Sequence, residues 1–209
     1  MKPGMTKPNR GLHLLHGQVL SAESQAVLDR ALERCAGSEI WRKRKAAEAR
    51  DLLALAQVAP PGRMRLEGLD LSDALRSLVR LRVPAPWRDE RGEVHIADEA
   101  VLGIVYPQQA LFQQQPGYSF VELLLPRKVW HPSIAAMPGW PQAICLGHVP
   151  AGVRLRELVL LTYGALAMQT VQLDQFDPMG LMNPEAGASW QQRIADLPLS
   201  RQAFFDPVS

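Results

Sequence analysis

Four segments in the middle of the chain are strand candidates, and the links between them are short and polar. "RMRLEGL" (63–69) and "LRSLVRLRV" (75–83) alternate loosely, charged with apolar, as half-buried strands do, and "VHIADEAVLGIVYP" (94–107) and "YSFVELLLP" (118–126) supply two more. The second link, "PAPWRDERGE" (84–93), is turn chemistry: two prolines, a run of charges, then Gly92. Parallel neighbours would need crossovers of a dozen or more residues, so this order predicts an antiparallel meander.

Helices flank the strands. Ser21 is placed to cap "SAESQAVLDRALERCAG", which stops at Gly37, and Ser38 to cap "EIWRKRKAAEARDLLALAQVA", which stops before Pro60-Pro61. Cys35 closes the first helix and reads as packing. Beyond the strands, residues 129–152 hold Pro132, Pro138, Gly139, Pro141, Gly147, Pro150 and Gly152, which forbid a long element. An irregular stretch of this length inside a compact domain points to catalysis or binding, and this one carries His131 and Cys145. "VRLRELVLLTYGALAMQTVQL" (153–173) is apolar nearly all round and predicts a buried helix. "NPEAGASWQQRIADL" (183–197) opens with Asn183 as N-cap and Pro184 at the first helical position. The fold class is α+β. Residues 1–20 read as a mobile segment, 21–38 as an added helix, 39–197 as the main domain and 198–209 as a tail. The tail's Phe204 and Phe205 either bind a partner or pack on the domain.

Composition excludes several functions. A net charge of +2 and the lack of an arginine–aromatic array argue against nucleic acid. No stretch approaches the roughly 20 apolar residues of a membrane helix, and the basic start lacks a signal-peptide apolar run. Two cysteines in unlike contexts form no disulfide framework, which favours a reducing, cytoplasmic setting. His131, Cys145 and His148 lack the paired spacing of a zinc site, and no cofactor motif is present.

In this order the elements resemble the ubiquitin-conjugating enzyme family across roughly residues 39–197. "HPSI" at 131–134 resembles the family's His-Pro-Asn box and "ICLG" at 144–147 its Ile-Cys-Leu strip. "YP" at 106–107 and Pro126 fall where the family has strand-end prolines, and "DPMGLMNPEA" at 177–186 resembles its acidic turn and following helix. The resemblance implies a UBC-like fold: an N-terminal helix, a four-stranded antiparallel meander, an active-site loop, then helices. The closest flavour is bacterial, of the kind found in operons with an adenylating activator, a ubiquitin-like modifier and a JAB-type peptidase, and associated with defence against phage.

By that resemblance, Cys145 accepts the modifier's C-terminal acyl group as a thioester from an adenylating activating enzyme and passes it to a target protein amine. A thiol at the reference pKa of about 8.5 is a few per cent thiolate at neutral pH, and thiolate is intrinsically very nucleophilic, so no adjacent base is required. Amine attack builds negative charge on the carbonyl oxygen. Ser133, 12 residues before Cys145, stands where the family has its Asn; it and the backbone N–H groups of residues 143–146 are the two candidate donors. The arriving lysine must lose a proton, for which Asp177, Asp174 and His148 are candidates. His131 either holds the loop or carries a proton. The run Arg42, Lys43, Arg44 and Lys45 is a docking patch for the activating enzyme or an ordinary solvated helix face. Two rival readings are a non-catalytic module of the same fold that binds a ubiquitin-like protein, and a Cys hydrolase using His131 or His148 as base.

Overall fold

The computed structural model describes residues 18–171, 173 and 181–205. The mobile segment expected at the N-terminus lies outside the described residues up to position 17, as do Asp174, Asp177 and the last four residues. Helix α1 (Ala22–Glu33) begins where the Ser24 N–H donates to Ser21 Oγ, and α2 (Glu39–Val58) where the Trp41 N–H donates to Ser38 Oγ. Each hydroxyl satisfies a backbone donor that the first turn leaves without an intrahelical acceptor.

The strands are β1 (Met64–Asp70), β2 (Leu75–Arg88), β3 (Val94–Tyr106), a short β4 (Gln115–Pro116), β5 (Val121–Leu125) and a short β6 (His148–Val149). The main sheet runs β1-β2-β3-β5 with every neighbour antiparallel, so the α+β class and the four-stranded meander are present. Strand β2 shows the cause. Leu75, Val79, Leu81 and Val83 are buried on one face, and Arg76 and Arg82 are exposed on the other. Register pairs such as Val79↔Leu102 and Leu81↔Ala100 match buried residue to buried residue.

Two boundaries differ from expectation. Residues 84–88 are strand rather than turn. The β2–β3 register shifts between Arg82 and Ala85, and β1 pairs no further along β2 than Leu81. Pro84 thus sits in a bulge, where a missing N–H is tolerated, and Pro86 faces residues 128–130: its carbonyl accepts the Trp130 N–H (2.8 Å), while Trp130 O takes Trp190 Nε1 as its donor. Only Asp89–Glu93 makes the turn: Asp89 Oδ1 accepts the Arg91 and Glu93 N–H groups, each at 2.9 Å. Similarly, β5 starts at Val121 because Gly117–Ser119 closes into a 3₁₀ turn.

Helices α1, α2 and α3 (Leu155–Leu166) cover the inner sheet face. Leu52, Leu55, Leu102, Leu155 and Leu158 are fully buried between them. Helix α3 ends seven residues before the apolar pattern does. Met168 takes a left-handed conformation (φ 59°), its N–H donates to Ala165 O (3.0 Å), and the Gln169 N–H donates to Gly164 O (2.9 Å). This is a Schellman closure built on methionine, without the glycine that usually announces one. Helix α4 (Pro184–Gln192) has the expected cap, with Asn183 Oδ1 accepting from the Ala186 N–H. The tail packs on the domain: Phe204 meets Tyr163 edge-on at 5.3 Å, and both phenylalanines are buried.

Candidate functional site

Residues 129–152 are held by backbone bonds rather than by long elements. Leu123 N donates to Gln142 O and Ile144 N to Val121 O, both at 2.9 Å, so residues 142–144 line the open edge of β5. Cys145 N donates to Ser133 O (2.8 Å) and Ala135 N to Ala143 O (3.0 Å), around an antiparallel Ile134↔Ile144 bridge. Those bonds set the Ser133 backbone opposite that of Cys145. Ile134 and Ile144 are fully buried in the core. Ser133 is buried and Cys145 half-buried. The chain thus brings together two of the expected site residues.

His131 organises the approach. It is fully buried, its Nδ1 lies 3.1 Å from the Ser133 nitrogen and its Nε2 3.0 Å from Ala165 O. The Ser133 N–H can only donate and the carbonyl can only accept, so the proton sits on Nε2. Burial drives the imidazole pKa down to about 4, with the Ala165 bond opposing that shift. His131 is therefore neutral with both nitrogens engaged, a holder of the loop and not a proton carrier. The Cys-hydrolase reading loses it as a base. Next to it, Pro132 O accepts the Met182 and Asn183 N–H groups, and Trp190 Nε1 donates to Trp130 O (3.1 Å). The start of α4 is thereby tied to the His-Pro turn.

Two residues overlooked in the sequence complete the frame. Gln142 Oε1 accepts the Val129 N–H (2.8 Å), and its Nε2 donates to Leu123 O (2.9 Å) and Pro126 O (3.0 Å). Nothing local distinguishes this glutamine from a solvated one. Gly117 lies under the strip after Cys145. A Cβ there would sit 2.7 Å from both Leu146 N and Gly147 O, while its own N–H donates to Gly147 O at 2.7 Å. Beyond it β6 pairs with β4 through Pro116↔His148, leaving His148 exposed. The candidates Asp177 and Asp174 lie outside the described residues.

The basic run on α2 does not act as one patch. Arg42 and Lys43 are exposed, and Lys43 pairs with Glu39 at 2.6 Å. Lys45 is fully buried and donates to the carbonyls of Ala36, Leu71 and Asp73. Arg44 turns inward to Glu48 (2.7 Å) and to the carbonyls of Gly152 and Val153. The docking expectation is corrected accordingly: Arg44 and Lys45 are spent inside, and Arg42 and Lys43 remain. The helical period held the signal, since Lys45 falls on the stripe Trp41, Lys45, Ala49, Leu52. Arg154 also binds Glu48 (2.9 Å), and Arg154 and Arg156 share Asp51. Desolvation raises the Glu48 pKa, against the Leu155 N–H, Arg154 and Arg44, which lower it. This network joins α2 to the start of α3, just after the Cys145 strip.

Cys35 and Cys145 are not joined by a disulfide, and Cys35 packs partly against the core. Among the described residues no group of three or more His, Cys, Asp or Glu side chains is placed to hold a metal ion, and no helix is long and apolar enough to cross a membrane. The arrangement offers a half-buried cysteine on a strip held by backbone bonds to Ser133 and Val121, with the neutral, locked His131 imidazole bonded to the Ser133 N–H. Compared with known proteins, the chain matches no family model, no curated protein and no solved structure.

Proposed function

We propose that this chain is a conjugating enzyme for a ubiquitin-like modifier, with Cys145 as the acyl carrier. The Cys145 sulfur attacks the activating enzyme's thioester, the new C–S bond forms, and the activator's thiolate leaves. A target amine then attacks the Cys145 thioester, a C–N bond replaces the C–S bond, the amine loses a proton and Cys145 departs as thiolate. The Ser133 hydroxyl is the candidate donor to the charge on the carbonyl oxygen, because the N–H groups of Ala143, Ile144 and Cys145 already donate to Pro141 O, Val121 O and Ser133 O. Arg42 and Lys43 contribute to docking the activator. The observation that carries this reading is the half-buried Cys145 set opposite Ser133 in a loop that follows an antiparallel meander.

The test is incubation with ATP, a cognate adenylating enzyme and its ubiquitin-like modifier. Wild type and Cys35→Ala are expected to form an adduct cleaved by reducing agent, Cys145→Ala none, and Cys145→Ser at most a reductant-resistant ester. An activator that charges normally while wild type forms no adduct overturns the proposal in favour of a non-catalytic module that binds the modifier.

A further inference from the structure

The cleft between β5, the β2–β3 turn and the loop over residues 136–142 has a volume of about 620 Å³. Its floor is apolar, and its outer wall carries Trp140 and Met137, which are 69% and 57% exposed. Large apolar side chains standing this far into water are poorly covered by a small ligand sunk in the cleft, and adjoining ones mark a surface built for a macromolecule. Tryptophan, methionine and arginine are also the residues enriched in protein interfaces.

Charge selects the kind of partner. Arg88, Arg127 and Lys128 line the cleft together with Asp89 and Glu122. Asp89 is held as a carboxylate in the β2–β3 turn: its oxygens accept the Arg91 and Glu93 N–H groups and contact His95 Nε2 at 3.2 Å. Arg88 lies 3.6 Å above the Trp130 ring, and Lys128 reaches only the exposed Glu90, at 3.4 Å. Arg127 is exposed, with no ion pair or hydrogen bond among the described residues. Three cations and two carboxylates, Asp89 and Glu122, thus line the cleft; Arg88 also donates to Gly92 O (3.1 Å), and Arg127 is the cation left without a partner among the described residues. We infer that this cleft docks an acidic segment of a partner protein, with an aromatic or aliphatic anchor entering beside Trp140 and Met137 and carboxylates meeting Arg127 and Lys128. Cys145 is not among the residues lining the cleft, and the inference does not rest on its chemistry.

The experiment pans a displayed library of random dodecapeptides against the full chain, then measures the affinity of the enriched peptides for wild type and variants. The expected peptides carry aromatic or aliphatic residues next to Asp and Glu. They bind Trp140→Ala and Arg127→Glu about tenfold or more weakly, weaken with added salt, and bind Cys145→Ala as they bind wild type. Both substituted side chains are exposed, so unchanged melting temperatures check the fold, and Met137→Ser provides a third variant with the same expected loss. Enrichment of nothing, of basic peptides, or of peptides indifferent to all three variants overturns the inference. So does sedimentation showing that wild type self-associates through this face and Trp140→Ala does not, since the occupant would then be a second copy of the chain.

Discussion

His131 donates its Nε2 proton to the carbonyl oxygen of Ala165 across 3.0 Å, joining the loop that leads to Cys145 to the last turn of α3. That carbonyl also accepts the Met168 N–H, so the imidazole reinforces the closure of the helix. The Ser133 N–H donates to Nδ1, and that second bond exists only while Nδ1 carries no proton.

This sets a pH dependence. The folded pKa of about 4 lies below the ordinary 6.5, so the unfolded chain binds more protons in between. Stability is full above pH 6.5 and is lost as pH falls toward 4. The loss attributable to His131 is on the order of 3 kcal/mol. Glu48, with a raised pKa, has the opposite sign and loses stability as pH rises through its folded value. Urea unfolding of wild type and His131→Gln across this range separates the two: the gap between them shrinks by about that amount on acidification. A constant gap rejects the assignment.

Lys45→Ala is expected to destabilise the fold by about 2–5 kcal/mol, because a fully buried side chain is truncated and three carbonyls lose their donor, that of Leu71 in the interior. Arg42→Ala and Lys43→Ala, both exposed, should stay within about 0.5 kcal/mol of wild type. If Arg42 and Lys43 dock the activator, their double substitution slows Cys145 charging at unchanged melting temperature. Equal melting temperatures for Lys45→Ala and wild type would contradict the buried arrangement.

Gly117→Ala places a methyl group 2.7 Å from Leu146 N and Gly147 O, and backbone cannot swing aside as a flexible side chain would. A loss of about 1–3 kcal/mol follows from overpacking, together with displacement of the strip after Cys145. The rate at which iodoacetamide alkylates Cys145, followed by mass spectrometry at a temperature where both proteins are folded, should change. Gly62→Ala is the control, a left-handed glycine (φ 74°) with nothing within 4 Å, and should leave that rate unaltered.

Features that depend on neighbours in the chain were legible beforehand. Ser21, Ser38 and Asn183 cap helices because each side-chain oxygen reaches a backbone N–H three residues on. The meander follows from period-two patterning and links too short for crossovers. The pairing of Ser133 with Cys145 was not legible, since it needs residues 12 apart to meet at the edge of β5. The end of α3 was missed because methionine rarely adopts positive φ, and the extension of β2 because proline ordinarily signals a turn.

The amino-acid order by itself determined the succession of elements, their caps and the chemical kinds of side chain in the long loop. Only the folded chain decided that Lys45 faces carbonyls at residues 36, 71 and 73 while Lys43 faces water, and that His131 is neutral. A side chain's charge state and partners depend on burial. Burial is set by segments far apart in sequence closing over one another.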